Sequence, residues 1–240
     1  MREMPNGKAK GVKVGGTRMK SLTLLAGVLM NLAGSVGTAG QTHDRKNGLP
    51  DVLKATEIAY PVNTTTTGMV SFLVTLDADG TVKNSQILQD IPPLTTAAQE
   101  GMKNWTFKAA TFHGKAVASL LPVYIVFNPY NPAGTAPVGG GLPTPRPLSP
   151  GGWATFPPQV RVASYAIYPA NSLATGTVVL SVHINKSGHA SDIRAVHGIR
   201  PLAEAAFEEV KQWGFQPSRL GDEPVEGSIC IAFVFQRNLS

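Results

Sequence analysis

Apolar and polar residues alternate with a period of two in two separate stretches of the chain. The apolar positions are Val70, Phe72, Val74 and Leu76 in the first stretch and Val178, Leu180, Val182 and Ile184 in the second. Such alternation is typical of a β-strand that buries one face. A short polar turn ending in glycine follows each stretch, and a second, weaker strand pattern follows each turn. The pattern therefore predicts two β-hairpins.

A helical period follows each hairpin. Apolar residues recur at spacings of four, four and three, at Leu94, Ala98, Met102 and Trp105 and again at Leu202, Ala206, Val210 and Trp213. These spacings place them on one face, as in an amphipathic helix that packs on a sheet. Proline opens both segments, at Pro92-Pro93 and at Pro201, and is tolerated in the first turn of a helix. An apolar strand, Leu120–Phe127 or Ser228–Phe235, then ends each unit.

The two units are copies of one sequence. A shift of 108 positions lays Trp213-Gly214-Phe215 on Trp105-Thr106-Phe107 and Tyr168-Pro169 on Tyr60-Pro61, with one register throughout. An internal repeat of this kind indicates that the chain contains two copies of one structural unit. We also expect the Trp and Phe rings of each copy to pack against the sheet, because burial of such side chains is strongly stabilising.

The repeat predicts an α+β protein with two β-β-α-β domains, at residues 50–128 and 158–236. Each is expected to be a three-stranded antiparallel sheet with a helix on one face, and to fold on its own. Residues 129–157 are rich in Pro and Gly and are interpreted as a linker. Residues 41–49 are polar, and we expect them to be disordered.

The charge of the chain is concentrated in its leader. Residues 1–40 contain six of the 21 Lys and Arg residues but only one of the 15 acids, and the whole chain carries +6. The remainder has no excess of basic residues of the kind that nucleic-acid binding requires. Within residues 1–40, a charged segment, an apolar run and small residues follow one another, as in a secretory signal peptide. The alternative is an uncleaved membrane anchor, which needs about 20 apolar residues.

Candidate chemistry is sparse. Cys230 is the only cysteine, which excludes a disulfide within the chain, and it is interpreted as a small, half-buried strand residue. The turn Asp77–Gly80 resembles part of a calcium loop but lacks the acids that such a loop needs at its first and last positions, so we interpret it as a hairpin turn. His183, His189 and His197 share one hairpin region and are interpreted as surface residues. No phosphate-binding, metalloprotease or nucleophile motif occurs, so no enzyme activity, cofactor or metal site is predicted.

Taken together, these motifs resemble the TonB C-terminal domain. The first copy carries the residues Tyr60-Pro61, Gly68, Asp79-Gly80, Ala97-Ala98, Trp105-Thr106-Phe107-Lys108-Ala109 and Gly114-Lys115. The second keeps Tyr168-Pro169, Gly176, Gly188, Ala205-Ala206, Trp213-Gly214-Phe215-Gln216-Pro217 and Gly221. The second copy departs from the family pattern at the turn, with Asn185 and Ser187, and at Gly214.

The resemblance implies a periplasmic module of a Gram-negative cell envelope. TonB grips a short peptide of an outer-membrane transporter by adding it to a sheet edge, a mode in which backbone hydrogen bonds supply affinity. We therefore expect an exported tandem binding module, anchored to the inner membrane if the leader is retained. Its expected partner is an envelope protein or a peptide of a TonB-dependent transporter. The alternatives are a structural envelope protein whose repeats pair or dimerise, and an unrecognised hydrolase.

The last strand of each copy is the predicted binding edge. Its backbone groups would be a template for another strand, because neither span carries a charge or a proline. The candidate residues are Val123, Tyr124, Ile125, Val126 and Phe127 in the first copy and Ile229, Cys230, Ile231, Ala232 and Phe233 in the second. Three other arrangements stay open: coverage of each edge by the other copy, by the same strand of a second molecule in a homodimer, or by the linker or tail.

Overall fold

The computed structural model describes residues 47–62, 64–128, 130, 156–170 and 172–237. These residues all belong to one compact unit. The predicted signal peptide or anchor, residues 41–46 of the segment predicted to be disordered, and nearly all of the predicted linker lie outside the described residues. Those predictions therefore stay predictions.

The two repeats have the same order of elements. The first contains β1 (Asp51–Lys54), β2 (Gly68–Leu76), β3 (Val82–Gln89), α1 (Leu94–Met102), β4 (Thr106–Lys108), β5 (Ala110–Phe112), β6 (Lys115–Val117) and β7 (Ser119–Asn128). The second contains β8 (Gln159–Val162), β9 (Gly176–Ile184), β10 (Ala190–His197), α2 (Arg200–Val210), β11 (Gly214–Gln216), β12 (Ser218–Leu220), β13 (Glu223–Val225) and β14 (Gly227–Phe235). The α+β class, the hairpins, the helices and the last strands agree with the sequence patterns.

One sheet joins the repeats. Its six strands lie in the order β10-β9-β14-β7-β2-β3. Each repeat contributes three neighbouring antiparallel strands, and β14 pairs with β7 in parallel. The prediction of two separate three-stranded sheets is therefore wrong, since the two triplets form one mixed sheet. The remaining strands form short two-stranded ribbons, such as β1 with β4 and β8 with β11.

The sheet carries one core on each face. On β7, Val123, Ile125 and Phe127 belong to the core beneath α1, whereas Tyr124 and Val126 belong to the core beneath α2. Successive side chains of a strand point to opposite faces, so the two helices lie on opposite faces of the sheet. Both cores contain residues from both repeats, which argues against the predicted independent folding.

The repeated aromatic residues are anchored in the same way in both copies. The indole N–H of Trp105 donates to the carbonyl of Thr56 at 3.2 Å, and that of Trp213 donates to the carbonyl of Ser164 at 3.3 Å. Both indole rings are 5% exposed. The predicted burial of these rings is confirmed, and the segment leading into each hairpin receives a fixed hydrogen bond.

The hairpin turns explain two of the repeated glycines. Gly80 and Gly188 have φ angles of +89° and +80°, a region that side-chain-bearing residues rarely adopt. A Cβ atom at Gly80 would also lie 2.5 Å from the carbonyl oxygen of Phe107. The turn is thus held against the strand that follows the helix. Asp79 accepts hydrogen bonds from the hydroxyl and backbone N–H of Thr81, and the bond from the hydroxyl is the main reason why its pKa is lowered.

Candidate peptide-binding edges

The ten residues predicted to form binding edges lie in the middle of the sheet. Val123–Phe127 lie on β7, which pairs with β2 on one side and with β14 on the other. Ile229–Phe233 lie on β14, which pairs with β9 and with β7. The prediction that these strands are edges is wrong in this structure, because each last strand covers the other.

The register of this central pair explains how the cores come to be shared. Phe127 faces Val234 across the pair, although its equivalent in the repeat is Phe235. Equivalent residues of the two copies therefore do not face each other, because the pairing of β7 with β14 is displaced by one residue. A shift of one residue exchanges the two faces of a strand. Consequently Cys230, Ala232 and Val234 of the second repeat pack in the core beneath α1.

Polar contacts bridge the repeats at one end of this central pair. The backbone N–H of Ile58 donates to the hydroxyl oxygen of Thr177 at 2.8 Å, and that hydroxyl donates to the Ile58 carbonyl at 3.2 Å. The Asn128 side chain donates to the carbonyl of Ala166, the counterpart of Ile58, at 3.0 Å. The segment before each hairpin is thus bonded to the strands of the other repeat.

An ion pair and a histidine–carboxylate hydrogen bond join β10 to the first repeat. The guanidinium of Arg194 lies 2.7 Å from a carboxylate oxygen of Asp51. Nε2 of His197 lies 3.0 Å from Oε1 of Glu57, whose other oxygen accepts the backbone N–H of Thr177 at 2.6 Å. Arg194 and His197 are therefore held over the face of the sheet that carries β1.

The outer strands of the sheet are β3 and β10. Among the described residues, each pairs with a neighbouring strand on one side only. Charged side chains discourage strand addition at an edge. β10 carries Asp192 and Arg194, whereas the only charged residue of β3 is Lys83. β3 also exposes the apolar residues Val82 and Ile87, so it is the less protected edge.

A groove runs beside β3 on the face that carries α1. It has a volume of about 270 Å³ and is lined by Val74, Val82, Ser85, Gln99, Met102, Lys103, Trp105 and Phe107. The hydroxyl oxygen of Ser85 is buried there and has no hydrogen-bond partner. In the second repeat, Ile193 and Phe207 stand at the positions of Ser85 and Gln99. Both of these side chains are larger and more apolar, and Ile193 packs against the core beneath α2.

Other candidate groups are held in structural contacts. Cys230 is fully buried, and burial raises the pKa of its thiol, which disfavours the thiolate that a nucleophile needs. Nδ1 of His183 lies 3.9 Å from Asp192. The described ranges contain no group of three or more His, Cys, Asp or Glu side chains that could hold a metal ion. Neither helix in this part of the chain is long and apolar enough to cross a membrane.

The sequence patterns missed the bridging residues, although a signal for one of them exists. Thr177 stands where the first repeat has Met69, so a polar residue replaces an apolar one at a buried position. Such departures from repeat symmetry mark places where the two copies contact each other differently. The groove beside β3 is marked in the same way, by Ser85 against Ile193.

Comparison with known proteins identifies the family of the chain. The family described as Gram-negative bacterial TonB protein C-terminal matches residues 59–129 and 165–236, and the chain therefore belongs to the TonB C-terminal family, with two tandem copies. The chain is also similar to Protein tonB2 of Pseudomonas aeruginosa, with 36% identity over 76 residues. That match covers 30% of this chain and 28% of the relative. No solved structure matches the chain significantly.

Proposed function

We propose that the chain is an exported, TonB-like tandem binding module of the periplasm, linked to TonB-dependent transport across the outer membrane. It binds an extended segment of an envelope protein or of a TonB-dependent transporter by strand addition. Membership of the TonB C-terminal family supports the class of function and the compartment. A binding role without catalysis is also consistent with the buried, structural setting of Cys230.

The observation that carries the binding mode is the position of the sheet edges. The last strands cover each other, so a partner strand has to join β3 or β10 if the repeats stay paired. Backbone N–H and C=O groups on the outer side of an edge strand are a template for such pairing. In this mode the partner's backbone supplies affinity, and its alternate side chains supply specificity.

Amide hydrogen exchange of the full chain tests this binding mode. The probe is a synthetic peptide copied from the periplasm-facing segment of a TonB-dependent transporter. We expect it to slow the exchange of β3 or β10 amides. The control is the same peptide with proline at alternate positions, which lacks the necessary N–H groups. If no transporter peptide slows exchange in either strand, binding by strand addition is contradicted.

The central strand pair favours a second candidate, a structural envelope protein. The parallel ladder between β7 and β14 already uses the strands that would otherwise be exposed. The exposed apolar residues Val82 and Ile87 would then serve a β3-to-β3 contact between two copies of the chain. Sedimentation equilibrium separates the candidates: a concentration-dependent dimer that the substitution Ile87→Lys abolishes favours the structural function. A monomer at all concentrations excludes the dimer.

A further inference from the structure

We infer that the groove beside β3 receives one aromatic side chain, best a tyrosine, from an extended peptide added to β3. The inference rests on the strand addition proposed above. It assigns that addition to one edge, names the side chain that is selected, and makes the first repeat the binding repeat. The second repeat then acts as the support that closes the other edge of β7.

The first step is the location of the groove. Val82 and Ser85 line it and lie on β3 itself, and Val74 lies on the neighbouring strand β2. In a sheet, directly opposed residues on neighbouring strands have Cβ atoms about 5 Å apart on the same face. A residue of an added strand that stands opposite Ser85 therefore directs its side chain to the mouth of the groove.

The second step is the size and lining of the groove. A cavity of about 150 Å³ can hold a benzene ring, and this groove measures about 270 Å³. Its walls include the rings of Trp105 and Phe107 and the side chain of Met102. Such walls suit an aromatic side chain, because aromatic pairs and sulfur–aromatic contacts add to the area that is buried.

The third step is the unpartnered hydroxyl. The Ser85 oxygen is buried without a hydrogen-bond partner, and a buried polar atom in that state is destabilising. Gln99, an exposed residue at the rim, offers a second polar group. A ligand side chain with an apolar body and a terminal hydroxyl would pack against the apolar walls and form a hydrogen bond with these polar groups. Among the common side chains, tyrosine has that combination.

The fourth step is the contrast between the repeats. α2 contacts both β9 and β10, whereas contact between α1 and β3 is sparser than that between α2 and β10. Ile193 also packs against the core of the second repeat. The corresponding edge, β10, is tied to the first repeat through Arg194 and His197. The two edges are therefore not equivalent, and β3 is the one with room for a ligand side chain.

The difference between the repeats suggests a filling variant, in which the groove beside β3 is filled by the side chains that stand at the equivalent positions of the second repeat. Ser85→Ile combined with Gln99→Phe gives the first repeat the residues of the second. Gln86→Ile is the matched control, because it adds the same apolar side chain to β3 at the neighbouring position, on the opposite face. Far-ultraviolet circular dichroism and thermal unfolding establish that both variants fold.

The experiment selects peptides from a phage-displayed library of random nonapeptides on the full-length chain. We expect the selected sequences to share an aromatic residue at one position and to shift the fluorescence of Trp105. Their affinity should fall by at least about tenfold in the filling variant and change little in Gln86→Ile, since loss of a ring-sized pocket removes most of the side chain's burial. Replacing the peptide's tyrosine by phenylalanine should weaken binding several-fold in wild type but not after Ser85→Ala.

The remaining outcomes distinguish this inference from the proposed function. If the peptides slow amide exchange in β3 or β10 yet bind the filling variant as well as wild type, the pocket is excluded and strand addition stands. If the selected peptides slow exchange in neither strand, or if no peptide is selected, both are overturned. A β3-to-β3 dimer in place of peptide binding likewise overturns the inference.

Discussion

Tyr124 shows how single residues connect the two repeats. By sequence it belongs to the first repeat, but its ring packs in the core beneath α2, and its hydroxyl accepts the backbone N–H of Val160 at 3.3 Å. Burial raises its pKa to about 12. Tyr60 and Tyr168, which lie edge-on to Phe127 and Phe235, also have raised pKa values because they lose solvent. The protein therefore contains several phenols that the fold keeps protonated.

The raised phenol pKa predicts loss of stability in alkali. The folded state holds the proton of Tyr124 more tightly than the unfolded chain, whose tyrosine pKa is near 10. Its contribution is therefore fully present below pH 10 and is lost as the pH rises toward 12, by roughly 2–3 kcal/mol. Denaturant unfolding at several pH values should show this slope reduced in Tyr124→Phe. An equal slope in wild type and variant would contradict the assignment.

Removal of the Thr177 hydroxyl is expected to lower the stability of the protein at the junction of the repeats. Thr177→Val keeps the shape of the side chain but leaves the backbone N–H of Ile58 without its partner. We expect a loss of about 1–3 kcal/mol in the free energy of unfolding. Thr106→Val, at an exposed strand position, is the control and should change stability by less than about 0.5 kcal/mol. Equal effects would mean that the bridge does not hold the repeats together.

The helices and hairpins could be predicted from the sequence because their signals are local. Alternation in β2 and β9, and the spacing of four in α1 and α2, appear within single stretches of chain. Trp105 and Trp213, predicted to continue the helical face, lie three residues beyond the helix ends. The pairing of β7 with β14 could not be predicted in this way. It joins strands more than 100 residues apart, and an apolar strand looks the same whether its edge is free or covered. The short ribbons were missed because strands of three or four residues have no measurable period.

The candidate site was misplaced for the same reason. The sequence correctly marks Val123–Phe127 and Ile229–Phe233 as apolar and uncharged, which suits a central strand as well as a binding edge. The sequence of β3 does not indicate a binding edge, because the strand is weakly apolar and contains Lys83, Asn84 and Gln86. Its position as an outer strand follows from the order of the whole sheet.

The two repeats should unfold as one body. Because each core contains residues of both copies, Trp105→Ala should destabilise the second repeat together with the first. Large-to-small substitution of a buried Trp costs about 3–5 kcal/mol. Calorimetry of the full chain should show one transition for the described sheet, moved to lower temperature in the variant. Amide exchange in β9 should accelerate in parallel with exchange in β2. A second repeat that keeps its own transition would contradict a shared core.

In the part of the chain that the structure describes, one six-stranded sheet carries a helix on each face and is built by pairing two copies of a small domain along their last strands. This arrangement removes two of the four edges that separate domains would expose. The outer edges differ, since β10 is held to the first repeat through Arg194 and His197 and β3 lies beside a groove. In the proposed binding mode, the second repeat supports the first, and β3 of the first repeat is the edge that a peptide joins.

Amide hydrogen exchange in β7 and β14 distinguishes this arrangement from free edges and from a dimer. We expect the amides of Val123–Phe127 and Ile229–Phe233 to exchange slowly, at the same rate in concentrated and dilute protein, because their partners lie in the same chain. Fast exchange in these strands would show that they are free edges. Protection that fades on dilution would show that a second molecule covers them, and either result would contradict the six-stranded sheet within one chain.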